Sequence, residues 1–199
     1  MNRNGVIAIL SVIAIIVVGV LISNALKTRG ILPGGPMGQT PTPTTMNPNP
    51  STNPVSGRPQ VTIKTTKGDI VIELRPDLAP KTVTNYLQKW TSGYCEGKTF
   101  HRVEDWVIQG CDPKGDGTGG NSTLPTETSS ASFVTGAVGV ARKASPKEWS
   151  NDSQFFIVKK DSTFLDGDYT YFGQVISGMD VVNKIAEGDK ISTTQVLTK

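Results

Sequence analysis

At 199 residues the chain has room for one ordinary domain plus extensions, and its formal charge of +3 is too small to mark a general polyanion binder. Arg3, Lys27, Arg29 and Arg58 precede residue 60 with no acid among them, which leaves 16 of the 20 Lys and Arg against all 17 Asp and Glu in the remainder. The part able to fold is therefore near neutral, which argues against a nucleic-acid partner; Lys159-Lys160 is its one notable basic pair and reads as a solvated strand end.

From Val6 to Ile22 only Ser11 and Gly19 interrupt 17 residues of Val, Ile, Leu and Ala, with no charge. That is the lower limit for spanning a bilayer, and it exceeds the roughly 7 to 15 apolar residues of a signal peptide. Residues 1–26 are expected to form an uncleaved single-pass transmembrane helix; the cleaved alternative would use the small-x-small site Ser23-Asn24-Ala25. Residues 27–59 hold eight of the 13 prolines and almost no large apolar residue beyond Leu32, the composition of a disordered, partly extended linker. Arg3 and the amino terminus nearly balance Lys27 and Arg29, so charge does not set the orientation. A short tail before the apolar run and a long Thr/Pro/Asn linker after it suit a cell-membrane anchor whose domain, residues 60–199, lies on the extracytoplasmic side.

Val61 to Leu74 alternates apolar residues around Lys67-Gly68-Asp69, which predicts two strands joined by a tight turn. Pro80 suits a first helical turn, Val83, Leu87 and Trp90 follow at helical spacing, and Gly93 is a C-terminal stop. An exported domain can keep a disulfide, and Cys95 and Cys111 flank the next segment closely enough to close a modest loop; two unpaired small core residues is the alternative. With one histidine and no CxxC, no zinc or other metal site is indicated. "KTFHRV" and "WVIQG" read as short strands separated by Glu104-Asp105, with Val107 and Gln109 on one face and Trp106 and Ile108 on the other. After a Gly-rich loop, "FVTGAVGVAR", "SQFFIVKK" and "YTYFGQVIS" are rich in β-branched and aromatic residues; a second helix, "GMDVVNKIAEG", precedes a closing strand. Many short strands with two helices predict a mainly β fold, a closed or nearly closed antiparallel barrel capped by the helices.

Gly115, Gly117 and Gly120 have GxGxxG spacing, but "NSTLPTET" follows, so no helix N-terminus faces a pyrophosphate and no dinucleotide site is read there. His101, the lone histidine, has no nucleophile elbow or metal set around it, so a structural or hydrogen-bonding role outweighs general-base chemistry. Polar residues recur inside the apolar strands: Arg102 beside Phe100, Gln109 two after Val107, Gln154 two before Phe156. Alternation puts Val107 with Gln109 and Gln154 with Phe156, which describes an apolar cleft with a few directed hydrogen-bonding groups; an ordinary barrel exterior is the alternative.

"TKGDIVIEL", "APKTVTNYL", "FHRVEDWVIQG", "GTGG", "GAVGVAR", "SQFFIV" and "FLDGDYTYFGQVISGMDVV" occur in an order that resembles a cyclophilin-type peptidyl-prolyl cis-trans isomerase, of membrane-anchored, bacterial-like character. The resemblance implies an eight-stranded closed barrel with two capping helices, activity on X-Pro bonds without cofactor, proline-containing polypeptides as partners and a monomeric state. A tethered proline-peptide-binding or holdase module with incidental turnover is the competing reading. Arg102 falls on the family's catalytic arginine and Gln109 on its substrate-binding glutamine, with His101 in support. Trp106 and Val107 stand where the family has Phe and Met, and Gln154, Phe156 and Leu165 match pocket residues directly. Gly117, Ala141 and Arg142 fall at substrate-binding positions, as do Phe164 and Tyr169, where many eukaryotic members have Trp and often have His. The turn from Arg102 to Trp106 is one residue shorter than in many members, and Lys143 to Asn151 resembles a small insertion beside the cleft; Tyr169 and the insertion bear on substrate preference, and Phe164 on cyclosporin binding.

Overall fold

Apolar alternation on either side of Thr66-Lys67 builds the first hairpin. The structure, a computed structural model describing residues 57–197, pairs β1 (Gln60–Thr65) with β2 (Gly68–Leu74), setting Ile63 opposite Ile70 and Val61 opposite Ile72, all buried. Helix α1 (Pro80–Thr91) opens on Pro80, whose missing N–H costs nothing in a first turn. Its cap is remote: the Glu127 carboxylate accepts from the backbone N–H groups of Lys81 at 3.1 Å and Thr82 at 2.8 Å. A carboxylate suits the positive end of the helix dipole. Thr82, Val83, Tyr86 and Trp90 form the buried stripe; Leu87, predicted to lie on it, is only half-buried.

The chain continues through β3 (Phe100–Val103), β4 (Val107–Gly110), β5 (Ser122–Pro125), β6 (Ala137–Arg142), β7 (Trp149–Val158), β8 (Tyr171–Ser177), α2 (Met179–Lys184) and β9 (Ile191–Leu197). All pairings are antiparallel, in the order β3-β4-β7-β6-β8-β2-β1-β9, with β5 added to the first residues of β7. Two expectations are corrected here. The sheet has nine strands, not eight, because "STLP" pairs as β5 and "WSN" extends β7 backwards to meet it. Nor does it close: among the described residues β3 and β9 share no ladder and meet through the single bridge Thr99 to Lys190 and loop hydrogen bonds such as Phe100 N–H to Asp189 O at 2.9 Å. At the β3 edge the Phe100 N–H donates to Asp189 O and the Phe100 carbonyl accepts from the Gly188 N–H, a loop and not a strand as partner, and the sheet is a curled half-barrel.

Each face of the curl carries its own apolar cluster. Tyr86, Trp90, Phe100, Phe155 and Phe172 anchor the larger one under α1, with Tyr86 stacked on Phe172 at 4.7 Å and Trp90 edge-on to Phe155 at 5.7 Å. Val107, Phe133, Phe156, Leu165 and Tyr171 form the second. Strand β7 serves both by plain alternation, Phe155 and Ile157 to the first and Phe156 and Val158 to the second. No helix among the described residues is long and apolar enough to cross a membrane; the segment read as an anchor and most of the linker lie outside the described residues.

Cys95 and Cys111 are disulfide-bonded, both fully buried, with a sequence separation of 16. The bridge ties the segment after α1 to the loop that leaves β4. Closing a loop of this length restricts the unfolded chain by about 3 kcal/mol. The variant Cys95→Ala/Cys111→Ala is therefore expected to lose about that much stability, read as a lower urea midpoint at unchanged slope.

Candidate active site

One row of residues crosses four strands. Arg102 of β3 pairs with Gln109 of β4, Gln109 with Phe156 of β7, and Phe156 with Gly139 of β6. Neighbours in such a row have Cβ atoms about 4.5–5.5 Å apart, so a cation, an amide and an aromatic ring are delivered side by side. Simple alternation would put Phe100 and Arg102 on one face. Instead the β3–β4 register shifts by a residue between them, and Phe100 enters the main core while Arg102 faces the cleft. Bulges of this kind re-aim side chains beside functional sites.

The polar groups are linked in one direction. Arg102 Nη1 donates to Gln109 Oε1 at 3.2 Å, and Gln109 Nε2 donates to Gln154 Oε1 at 2.8 Å. Gln154 Nε2 then donates to the carbonyls of Gly119 at 2.8 Å and Gly117 at 3.1 Å and to Asp112 Oδ1 at 3.3 Å. Guanidinium only donates and carbonyl only accepts, so the ends of the chain fix the orientation of both glutamine amides. Asp112, unmarked by the sequence reading, is 1% exposed and holds the loop by accepting at Oδ2 from the N–H groups of Asp116 at 3.0 Å and Gly117 at 2.8 Å. An aspartate four and five residues before the amides it caps, in a glycine-rich loop, is the signal that was available.

The cleft holds about 370 Å³ and is lined by His101, Arg102, Trp106, Val107 and Gln109 from β3, β4 and their turn, by Asp116 and Gly117 of the loop, and by Ala141, Arg142, Phe156, Leu165 and Tyr169. Trp106 lines the cleft, as the resemblance implies and against the strand alternation that set it beside Ile108. It precedes β4 rather than lying in it, and so faces the cleft with Val107 and Gln109 instead of sharing the inner face with Ile108. Gln154, 2% exposed, lies behind the wall and lines a neighbouring cavity of about 340 Å³ with Gly119, Gly120 and Asn151. Phe164 is not among the lining residues: it stands on the rim, 69% exposed, edge-on to Trp106 at 5.2 Å. Arg142 is a wall rather than a free cation. Its Nε donates to Asp168 O at 2.9 Å, its Nη2 pairs with the Asp168 carboxylate at 3.2 Å, and its guanidinium lies 4.3 Å from the Tyr169 ring centre.

Burial lowers the His101 pKa below its ordinary 6.5, and neither ring nitrogen has a hydrogen-bond partner among the described residues. The imidazole lies against the loop, its Cδ2 3.6 Å from where a Cβ of Gly117 would be. No cluster of three or more metal-ligating side chains occurs among the described residues.

Phe156 is the floor. It stacks on Phe133 at 5.7 Å and meets Tyr169 edge-on at 5.9 Å, and its ring lies over Gly139, where any Cβ would collide with both Phe156 and Phe133. Gly139→Ala is expected to cost about 1–3 kcal/mol by overpacking and to displace the Phe156 ring, measured as a lower urea midpoint together with shifted Phe156 ring resonances.

The sequence model of the family described as cyclophilin type peptidyl-prolyl cis-trans isomerase/CLD matches residues 60–199. A Brucella suis protein named "Probable peptidyl-prolyl cis-trans isomerase" is 42% identical over 144 residues, which cover 65% of this chain and 72% of that one. A peptidyl-prolyl cis-trans isomerase of Dictyostelium discoideum is 42% identical over 130 residues, 63% of this chain and 83% of that one. Among solved structures, a cyclophilin-type peptidyl-prolyl cis-trans isomerase of Cryptosporidium parvum superposes with a TM-score of 0.66 at 29% identity, covering 72% of this chain and 99% of that one. With a half-barrel that sets an arginine, a glutamine and a phenylalanine in one row above an apolar slot, and with these likenesses over most of its length, the chain belongs to the cyclophilin-type peptidyl-prolyl cis-trans isomerases.

Proposed function

We propose that this isomerase accelerates rotation about X-Pro bonds through Arg102, with the prolyl ring held against Phe156, Val107, Leu165 and Trp106, and that its clients are exported polypeptides. The observation that carries the reading is the Arg102 guanidinium lining an apolar slot, in the same sheet row as Phe156 and two strands from it. The Cryptosporidium parvum relative has also been solved in the presence of the dipeptide Ala-Pro, at 30% identity and a TM-score of 0.64, which supports a proline-containing ligand for this cleft.

The amide barrier, about 18–20 kcal/mol, exists because the nitrogen lone pair is delocalised into the carbonyl. Midway through the rotation that lone pair is localised and can accept a hydrogen bond. A donor placed to meet it binds the twisted state better than either planar isomer, which is the condition for catalysis. Arg102 uses Nε and Nη1 on the protein and has no protein partner at Nη2 among the described residues, so it has a donor to offer and never needs to exchange a proton. Gln109, oriented by Arg102 on one side and Gln154 on the other, keeps an amide hydrogen for the carbonyl that precedes the proline. Moving from tens of seconds to milliseconds needs about 10⁴-fold, or roughly 5.5 kcal/mol, an amount within reach of one transition-state hydrogen bond plus positioning.

The cellular part of the proposal rests on sequence. An uncleaved membrane anchor at Val6–Ile22, a linker over residues 27–59 and a monomeric, bacterial-like domain on the extracytoplasmic side would let one active site reach many emerging chains; at roughly 3 Å per residue the linker extends to about 100 Å.

Arg102 is 42% exposed, so Arg102→Ala should leave the fold intact. It is expected to lower kcat/KM on a proline peptide by about 10²-fold or more with an unchanged urea midpoint and peptide Kd within a few-fold. Turnover equal to wild type would overturn the assignment, and full biological activity in this variant would favour the holdase reading. On intact cells, added protease is expected to remove the domain; digestion only after lysis would place it on the other side of the membrane.

A further inference from the structure

We propose that Glu104 is a positioning residue for the isomerisation: its carboxylate clamps the Arg102 guanidinium and the Trp106 indole together, so that donor and slot wall meet the prolyl ring at a fixed spacing. The inference rests on the reading of Arg102 as the group that meets the prolyl nitrogen.

The two carboxylate oxygens are divided between two partners. Oε1 accepts from Arg102 Nε at 2.7 Å and Oε2 accepts from Trp106 Nε1 at 2.8 Å. The main chain that carries the carboxylate is anchored as well, because the Glu104 backbone N–H donates to Val107 O at 2.9 Å across the β3–β4 turn. Arg102, Glu104 and Trp106 are spaced two apart, and the guanidinium carbon lies 5.3 Å from the Trp106 ring centre. In this arrangement the shortened turn becomes a functional part of the site.

An arginine side chain carries substantial rotamer entropy, and without Glu104 the one hydrogen bond left to Arg102 among the described residues is the 3.2 Å bond to a neutral amide oxygen of Gln109, with the Trp106 ring beside it. Occupying Nε with a carboxylate turns the Nη edge toward the cleft. Trp106 precedes β4 and has Glu104 as the one partner of its indole N–H among the described residues, so the same carboxylate sets the tilt of the wall. The Arg102 and then the Trp106 hydrogen bond hold the Glu104 carboxyl below its ordinary 4.5, so it is ionised wherever turnover is measured. The pair is 42% and 45% exposed, and half-exposed ion pairs add little to stability. Loss of Glu104 should therefore show in turnover and not in folding.

The test compares Glu104→Gln, Glu104→Ala, Trp106→Phe and Arg102→Ala in the full chain. Measured for each are kcat and KM on a proline peptide, the urea midpoint, and the ¹H–¹⁵N signals of Arg102 Nε–H and the Trp106 indole N–H. For Glu104→Gln the expected result is a kcat lower by about tenfold with KM within about twofold, an unchanged midpoint, and an Arg102 Nε–H signal moved toward that of free arginine. Trp106→Phe should reproduce part of the kcat loss, and combined with Glu104→Gln it should cost less than the product of the two. If the Arg102 and indole signals move in Glu104→Gln while kcat stays within twofold of wild type, the proposal is overturned; unmoved signals overturn it equally. Should Glu104→Ala lower the midpoint, the isosteric Glu104→Gln decides. An inert Arg102→Ala would instead remove the reading beneath it, which is a separate failure.

Discussion

The site depends on strand register. Arg102, Gln109, Phe156 and Gly139 share a row only because β3, β4, β7 and β6 pair at one particular offset. A slip of one residue would turn every side chain of a strand to the opposite face. It would send Phe155 and Ile157 out of the main core as surely as it would remove Phe156 from the cleft. The two apolar clusters therefore hold the register from both sides: Tyr86 and Trp90 of α1 grip the inner face, and Phe133 with Tyr169 grips the outer ring. Folding free energy and functional geometry draw on the same pairings.

Across that frame runs a polar relay that never needs a proton to move. It begins at a group that can only donate, passes through two amides, and ends on the carbonyls of the 117–119 loop and on Asp112. Buried polar groups are costly unless satisfied, and a fully satisfied network rigidifies its members. The loop end is fastened by the residue before Asp112. Cys111 has φ 65°, in the left-handed region that an L-residue adopts only when its surroundings require it, and the same residue is bonded to Cys95. The bridge thus reaches the cleft through one peptide unit and one carboxylate.

The β1–β2 hairpin, α1 and the grouping of Val107 with Gln109 and of Gln154 with Phe156 were legible because periods of two and 3.6 are written directly in residue order. What was not legible depends on contacts that periodicity does not encode. Trp106 lies one residue outside its strand, so alternation assigns it to the wrong side. β5 is four residues whose only reason to be a strand is the backward extension of β7. Closure of the barrel depends on whether β9 or the loop before it pairs with β3, and at Phe100 the partner is the loop. Glu127 caps a helix 45 residues away, and Glu104 looks like an ordinary turn acid until its two partners are placed around it.

A carboxylate beside a catalytic cation raises a question of sign, since Glu104 positions Arg102 and also offsets its charge. The magnitudes favour positioning. At about 4 Å, two unit charges interact by about 1 kcal/mol in water and about 4 kcal/mol at an effective dielectric of 20. With both side chains half-exposed, the screening lies toward the first value. The developing lone pair, in contrast, is met by a hydrogen bond whose strength falls steeply once the angle closes below about 120°. A guanidinium free to swing would spend most of its time outside that cone, while one held at Nε keeps an Nη–H pointed into the slot. A modest loss of field for a large gain in direction is the favourable exchange wherever the transition state accepts a single, directional bond and no net charge is transferred.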